Sequence, residues 1–251
     1  MYKHFHKFIF LFQLIVFSSN LYAGKKLFTY GKSFEGRLLV AGKVSNDKHI
    51  GRIKKLVLFE GAHGNEYFGI LTKVLGKSEL ATYLKAKLDK LDFSAEIVFY
   101  PKINPDGIVY KRRFTSLGRD LNRDFSDKLL VNQEASLLVT SLSNHVANFS
   151  GSVLAVDYHC CGNRLLPNKK MNDILTQKSV AYAQQAINMA VDSSSASELF
   201  GQEFTGTLKD YMSDKYSVPT FTFELPNEEI TNQIVKKHID WWMLLLSKVM
   251  D

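Results

Sequence analysis

The chain of 251 residues carries 32 Lys and Arg against 25 Asp and Glu, a formal charge of +7, and 45% of it is apolar. That composition excludes an intrinsically disordered chain, and two cysteines exclude a disulfide scaffold. The mild basic excess suits an acidic partner such as a cell-wall polymer or a carboxylate substrate; with no stripe of Arg, Lys and aromatic residues, no nucleic-acid partner is expected.

Residues 1–23 read as a secretory signal. Lys3, His4, His6 and Lys7 form a basic front, and Phe8 to Phe17 is an apolar run broken only by Gln13. The run is about half the roughly 20 residues a bilayer span needs. It leads to Leu21-Tyr22-Ala23, a small-residue ending of the kind that precedes cleavage. The expectation is an exported chain, periplasmic or secreted, with one folded domain over 24–251 and no membrane insertion after cleavage. Without the leader, 30 basic residues face 25 acidic ones.

Strands and helices then alternate. Residues 36–44 predict a strand. Lys54 to Glu60 (KKLVLFE) is a continuous apolar run, the pattern of a strand buried on both faces. Glu66 to Leu75 and Ser78 to Leu91 have helical spacing. Glu96 to Tyr100 is a short buried strand stopped by Pro101. Residues 101–132 show no period and contain Asn104-Pro105-Asp106-Gly107, a turn signal, so a long functional loop is expected. Gln133 to Phe149 reads as a helix, Val153 to Asp157 as a strand, and Thr176 to Val191 as a helix followed by the break Ser193-Ser194-Ser195. Thr220 to Leu225 is a fourth buried strand, and Asn227 to Val249 a terminal amphipathic helix. The alternation implies a layered α/β fold with a mostly parallel sheet.

Polar residues gather where the buried strands end. His63 and Glu66 follow the first such strand, His159 follows VLAVD, and Glu224 lies within TFTFEL. Ligand crevices of open α/β sheets form outside those strand ends. Two His and one Glu are the ligand set of an open catalytic zinc site. Glu224, in a buried strand, is the candidate proton carrier, because burial raises a carboxyl pKa.

The segments GKSFEGR (Gly31 to Arg37), GAHGNE (Gly61 to Glu66), NPDG (Asn104 to Gly107), DLNRDF (Asp120 to Phe125), VDYH (Val156 to His159) and TFELP (Thr222 to Pro226) occur in the order found in zinc carboxypeptidases. The chain resembles that family, and in its short form and its stretch Gly206 to Pro226 the compact bacterial murein tripeptide amidase branch. The resemblance implies a three-layer αβα fold with a mixed, mostly parallel sheet and one Zn²⁺ held by His63, Glu66 and His159. Glu224 matches the catalytic glutamate, Arg113 the arginine that steadies the oxyanion, and Asp120 the carboxylate behind a ligand imidazole. Asn122 and Arg123 match the pair that binds the substrate's terminal carboxylate. Leu208 falls where the family sets specificity, with Lys209 and Asp210 beside it. No tyrosine matches the family's mobile one; Phe200, Gly201 and Phe204 stand there instead.

The implied function is an exported metallocarboxypeptidase acting as a monomer on short peptides, with peptidoglycan stem peptides or muropeptides favoured. GAHGNE and RDLNRDF also resemble aspartoacylase and succinylglutamate desuccinylase, so an N-acyl amino acid deacylase is the alternative; NPDG and TFELP lean toward carboxypeptidases. Cys160 and Cys161 are expected as two free thiols packed near the site, since adjacent Cα atoms across a trans peptide are about 3.8 Å apart. Asp157 is expected to hold the loop before His159; His49, His145 and His238 are expected as surface or packing residues.

Overall fold

In a computed structural model the described residues are 25–125, 132–147, 149–162, 164–168, 170, 173–187, 192–193 and 205–250. The expected leader 1–23, Ser194, Ser195, Phe200, Gly201 and Phe204 lie outside them. In chain order the elements are β1 (Lys25–Lys32), β2 (Leu38–Ser45), β3 (Lys54–Glu60), α1 (Ile70–Gly76), α2 (Ser78–Leu88), β4 (Ala95–Tyr100), α3 (Pro105–Val109), α4 (Gln133–Leu142), β5 (Ser152–Cys160), β6 (Arg164–Pro167), α5 (Asp173–Ile187), β7 (Asp192–Ser193), α6 (Leu208–Tyr216), β8 (Thr220–Leu225) and α7 (Asn232–Leu244).

The strands form one mixed sheet in the order β1-β2-β4-β3-β5-β8-β6-β7. Its centre, β4-β3-β5-β8, is parallel; β2 and β6 join either side antiparallel. The central strands read as unbroken apolar runs because helices cover both faces. Leu56, Leu58, Phe99 and Phe223 pack on one face with Trp241 and Trp242 of α7 and with residues of α1, α2 and α5. Val57, Phe59, Val98 and Tyr100 pack on the other with Leu138 of α4 and Met212 of α6. The result is the expected three-layer αβα arrangement.

Local chemistry moves several boundaries. The strand expected from 36 starts at Leu38, because Ser33 to Arg37 closes a turn with Gly36 at φ 81°. The helix expected from Glu66 starts at Ile70: Gly69 is left-handed at φ 75°, and the buried Glu60 carboxyl accepts the N–H groups of Ile70 and Leu71 at 3.0 and 2.9 Å. The loop expected over 101–132 contains α3, with Pro105 at its first turn and Asn104 Oδ1 accepting the Gly107 N–H. The helix from Gln133 gives way at Ser143 to a wider turn that ends at Ala147. The strands β1, β6 and β7 and the helix α6 were not expected. The edge strand β1 is exposed at Lys26, Leu27, Thr29 and Lys32, and β6 has only four residues. Helix α6 is polar and is started by Thr207, whose hydroxyl accepts the Asp210 N–H.

Candidate active site

The C-terminal ends of β3, β5 and β8 open into a cavity of about 710 Å³. His63, Glu66, Arg113, Asn122, Arg123, His159 and Glu224 all line it. Chain segments far apart in sequence are brought together by close backbone contact. A Cβ on Gly64 would lie 1.9 Å from the Gly107 carbonyl carbon, so GAHGNE can meet NPDG only through glycine. A Cβ on Gly206, at φ 73°, would lie 2.4 Å from the Arg123 carbonyl oxygen, so the segment before α6 sits directly on DLNRDF.

His63 and Glu66 flank a single tight turn, Gly64–Glu66, and His159 stands on the last turn of the β5 pleat. His63 Nδ1 lies 2.9 Å, and His159 Nδ1 3.0 Å, from the same oxygen, Glu66 Oε2. Each ring turns its other nitrogen to a carboxylate: His63 Nε2 is 3.0 Å from Asp120 Oδ1, and His159 Nε2 is 3.0 Å from Asp157 Oδ2. Both nitrogens of each ring thus face a carboxylate; with a metal on Nδ1, Asp120 and Asp157 would accept the Nε2 protons and fix the ligating tautomer. The two imidazoles and the Glu66 carboxylate have ligand atoms all within 4.8 Å of one another. Two imidazoles backed by carboxylates, with one carboxylate oxygen ligand, form a donor set that fits a divalent metal of the zinc type.

Two arginines border this set. Arg113 donates from Nε to Asp120 Oδ2 at 2.8 Å and pairs with Glu66 Oε1 at 3.3 Å. Its neighbour Arg112 stands over the Tyr110 ring instead, 5.0 Å from its centroid, so Arg113 is the one of the adjacent pair that lines the cavity, as the sequence assignment had it. Arg123 donates to the Asn122 carbonyl at 2.7 Å. Asn122 Oδ1 accepts the Leu208 N–H at 2.9 Å, which turns its amide N–H groups toward the cavity, where Nδ2 lies 3.3 Å from His159 Nε2.

Glu224 stands beside His159 across the β5–β8 pair. Burial pushes its carboxyl up to about 7, with the charges of Glu66 and Asp157 adding to the effect and His159 opposing it. Burial opposes ionisation of Glu66 as well, but the hydrogen bonds from His159 and His63 hold its carboxyl well below the usual range. The two glutamates of the cavity are thus split into a permanent anion and a group able to exchange a proton near neutrality.

The family model for the succinylglutamate desuccinylase/aspartoacylase catalytic domain matches residues 52–238. The chain belongs to this family. The match spans every side chain just described. An inactive metallocarboxypeptidase of Ajellomyces capsulatus (strain H143) is 37% identical over 90 residues, 32% of this chain and 14% of that protein. The chain therefore aligns with about a seventh of that relative's length. Among solved structures, bovine thrombin-activatable fibrinolysis inhibitor in complex with tick carboxypeptidase inhibitor superposes with a TM-score of 0.69 at 14% identity, covering 96% of this chain and 95% of that one. Murein-tripeptide amidase from Escherichia coli O157 superposes with a TM-score of 0.56 at 18% identity, covering 86% and 89%. The carboxypeptidase fold resemblance is borne out.

Within this family member, three placements differ from expectation. The Leu208 side chain is fully buried in the layer beneath the sheet and does not reach the cavity; Lys209 and Asp210 do. Thr207 caps α6, and that sets which of its first residues faces inward. Cys160 and Cys161 are not thiols but a vicinal disulfide on the cavity wall. The peptide between them is cis, which brings their Cα atoms to 3.2 Å; the expectation of thiols assumed a trans peptide. Asp157 does more than hold a loop. It sits two residues before His159, on the same face of β5, and faces the ring's Nε2. That same-face spacing was the available signal. His238 is a packing residue, enclosed by Tyr158, Phe223 and Trp241.

Proposed function

We propose that this chain is a zinc-dependent hydrolase of the metallocarboxypeptidase type, cutting an amide bond near the free C-terminal carboxylate of short peptides. The observation that carries this reading is the shared oxygen: both Nδ1 atoms converge on Glu66 Oε2 while both Nε2 atoms are held by carboxylates. A relative described as inactive makes these residues, rather than overall similarity, the ground for activity.

His63, Glu66 and His159 would hold the zinc, which supplies a Lewis acid for the scissile carbonyl and lowers the pKa of water to about 7. Glu224 takes the proton of the attacking water and returns it to the leaving amine. Arg113 offers a guanidinium to the carbonyl oxygen as charge develops there; one such donor is worth about 2.7–4 kcal/mol in other enzymes. Arg123 and the Asn122 amide receive the substrate's terminal carboxylate. Asp120 and Asp157 keep the two imidazoles in the ligating tautomer.

Peptidoglycan stem peptides are the proposed substrate class, on three grounds: the expected export of residues 24–251 after cleavage at Ala23, the basic balance, and the fold shared with the murein-tripeptide amidase. Periplasmic or secreted action as a monomer is part of the same proposal. No helix among the described residues is long and apolar enough to cross a membrane. The test is Glu224→Gln in the zinc-loaded chain. It should keep stoichiometric metal and lose turnover of wall tri- and tetrapeptides; normal turnover by that variant rules the reading out.

A second reading has its own support. The family model that matches residues 52–238 is named for desuccinylases and aspartoacylases, which favours an N-acyl amino acid deacylase on the same site. Mass spectrometry of muropeptide digests, beside assays on N-acetyl and N-succinyl amino acids, separates the two.

A further inference from the structure

Outside the cavity, the exposed apolar side chains are unevenly spread. Ten large ones are exposed among the described residues. Six of the ten lie in two short segments: Phe34 and Leu38 around the turn into β2, and Val109, Tyr110, Phe114 and Leu117 from the end of α3 onward. Each is between 44% and 56% exposed. The two segments form one surface. The Tyr110 hydroxyl donates to Glu35 Oε2 at 2.8 Å, and the Arg37 guanidinium stands 5.5 Å from the Tyr110 ring centroid. The Ser33 and Ser116 hydroxyls, one from each segment, both donate to the buried Asp106 carboxylate, at 2.7 and 2.6 Å. The apolar side chains therefore stand on a fixed base.

The charge around them has one sign. Residues 32–38 and 109–119 hold Lys32, Arg37, Lys111, Arg112, Arg113 and Arg119 against a single acid, Glu35. Arg37 pairs with Glu35, Arg119 pairs with Asp124, and Arg113 faces the cavity. Lys111 and Arg112 have no acidic partner among the described residues, and Arg112 Nε has no hydrogen-bond partner among them. Contiguous exposed apolar surface marks an interaction site. A hydrated wall polymer satisfies Lys111 and Arg112 but leaves Leu38, Val109 and Leu117 in water. A second copy related by a two-fold axis covers the apolar groups but brings the cations of both copies together. An anionic lipid interface meets both needs. It takes apolar side chains out of water, holds an aromatic hydroxyl at headgroup depth, and neutralises Lys and Arg with phosphate.

We propose that this surface is a peripheral docking site for an anionic lipid membrane. Phe34, Val109, Phe114 and Leu117 enter the boundary between headgroups and acyl chains, and Lys111 and Arg112 meet lipid phosphates. The contact is interfacial: no helix among the described residues is long and apolar enough to cross the bilayer. Arg113 lies between Arg112 and Phe114 and lines the cavity, so docking sets the cavity beside the lipid. Docking of this kind is independent of which amide bond the metal centre cuts.

Every described element lies within residues 25–250, so the chain processed after Ala23 is the form to test, free of the expected leader. Vesicle flotation compares phosphatidylglycerol–phosphatidylethanolamine with phosphatidylcholine. The chain should float with the anionic vesicles, bind phosphatidylcholine about tenfold more weakly, and be released by salt. Phe114→Ser with Leu117→Ser should lower partition by about tenfold or more. Lys111→Gln with Arg112→Gln should lower it about 20-fold, at about fivefold per cation, and flatten the salt dependence. Ile50→Ser with Ile53→Ser, an exposed pair at the opposite end of β3, should change nothing. Equal binding to both vesicle types, or binding unmoved by both patch variants, overturns the proposal. So does each rival occupant. Pelleting with purified wall polymer in place of vesicles assigns the surface to the polymer. A dimer that the serine variant dissolves assigns it to a second copy. A large loss of stability of that variant in urea shows that the surface packs against the chain's own residues.

Discussion

Asp157 Oδ2 lies 3.0 Å from His159 Nε2, two residues away on one face of β5, and Asp157 is fully buried there. The pair mirrors His63 and Asp120 on the opposite side of Glu66. Both carboxylates aim an imidazole rather than touch the proposed metal. Replacing Asp157 by Ala should weaken zinc binding by about 10–100-fold, the usual cost of losing such a partner. Competition with a chromogenic chelator measures it. Unchanged affinity would mean that His159 is oriented by packing alone.

A second expectation concerns pH. Burial lifts the Glu224 carboxyl to about 7. A bound dication favours the anion, so about 7 is the upper bound in the metal-loaded chain. Glu224 acts as a base only when ionised. The rate should therefore climb with pH and level off by about 7. A profile of kcat/KM from pH 4.5 to 8 reads this; a rate that falls over that range contradicts the role.

The motifs GKSFEGR and NPDG have a structural rather than a chemical task. Asp106 is fully buried and accepts from the Ser33 hydroxyl at 2.7 Å, the Ser116 hydroxyl at 2.6 Å and the Arg37 guanidinium at 2.7 Å. The Glu35 N–H adds a fourth contact at 3.2 Å. The hub ties the turn before β2 to α3 and to the loop that carries Arg113. Asp106→Ala leaves the Ser33 and Ser116 hydroxyls and the Glu35 N–H without their acceptor, while Arg37 keeps Glu35 at 2.6 Å, and should destabilise the fold by about 2–3 kcal/mol. Urea unfolding checks it. A loss under about 1 kcal/mol would show that the loops hold without their hub.

These particulars show what could be read from residues alone. His63, Glu66, His159 and Glu224 were legible because a polar side chain at the end of an apolar strand breaks the strand's own pattern. The four central strands were legible for the same reason. Lys209 was not. The sequence LKDYMSDKY carries Leu208, Tyr211 and Met212 at i, i+3, i+4, which turns Leu208 into the core and leaves Lys209 to the cavity, but this short stripe in a polar segment was not read as a helix. The role of Asp106 was hidden because its partners, Ser33 and Arg37, lie about 70 residues away and meet it only after the sheet is assembled. β1 was missed because an edge strand needs no buried face.

Glu60 supplies the last expectation. It ends β3, is wholly buried, and accepts the N–H groups of Ile70 and Leu71 at the start of α1. Burial raises its carboxyl to about 7, with those N–H groups only partly offsetting the effect. An unfolded glutamate ionises near 4.3. Between these values the folded chain binds more protons than the unfolded one, so stability falls as pH rises. The loss attributable to Glu60 is about 3 kcal/mol on going from below pH 4 to above pH 7. Glu60→Gln removes the titration and keeps an oxygen for one N–H. The stability of the wild-type chain relative to this variant should therefore decline across that window. Urea unfolding of both proteins at pH 4, 5.5 and 7.5 measures the difference. A gap that stays constant with pH would show that Glu60 is ionised throughout, held as an anion by the helix start.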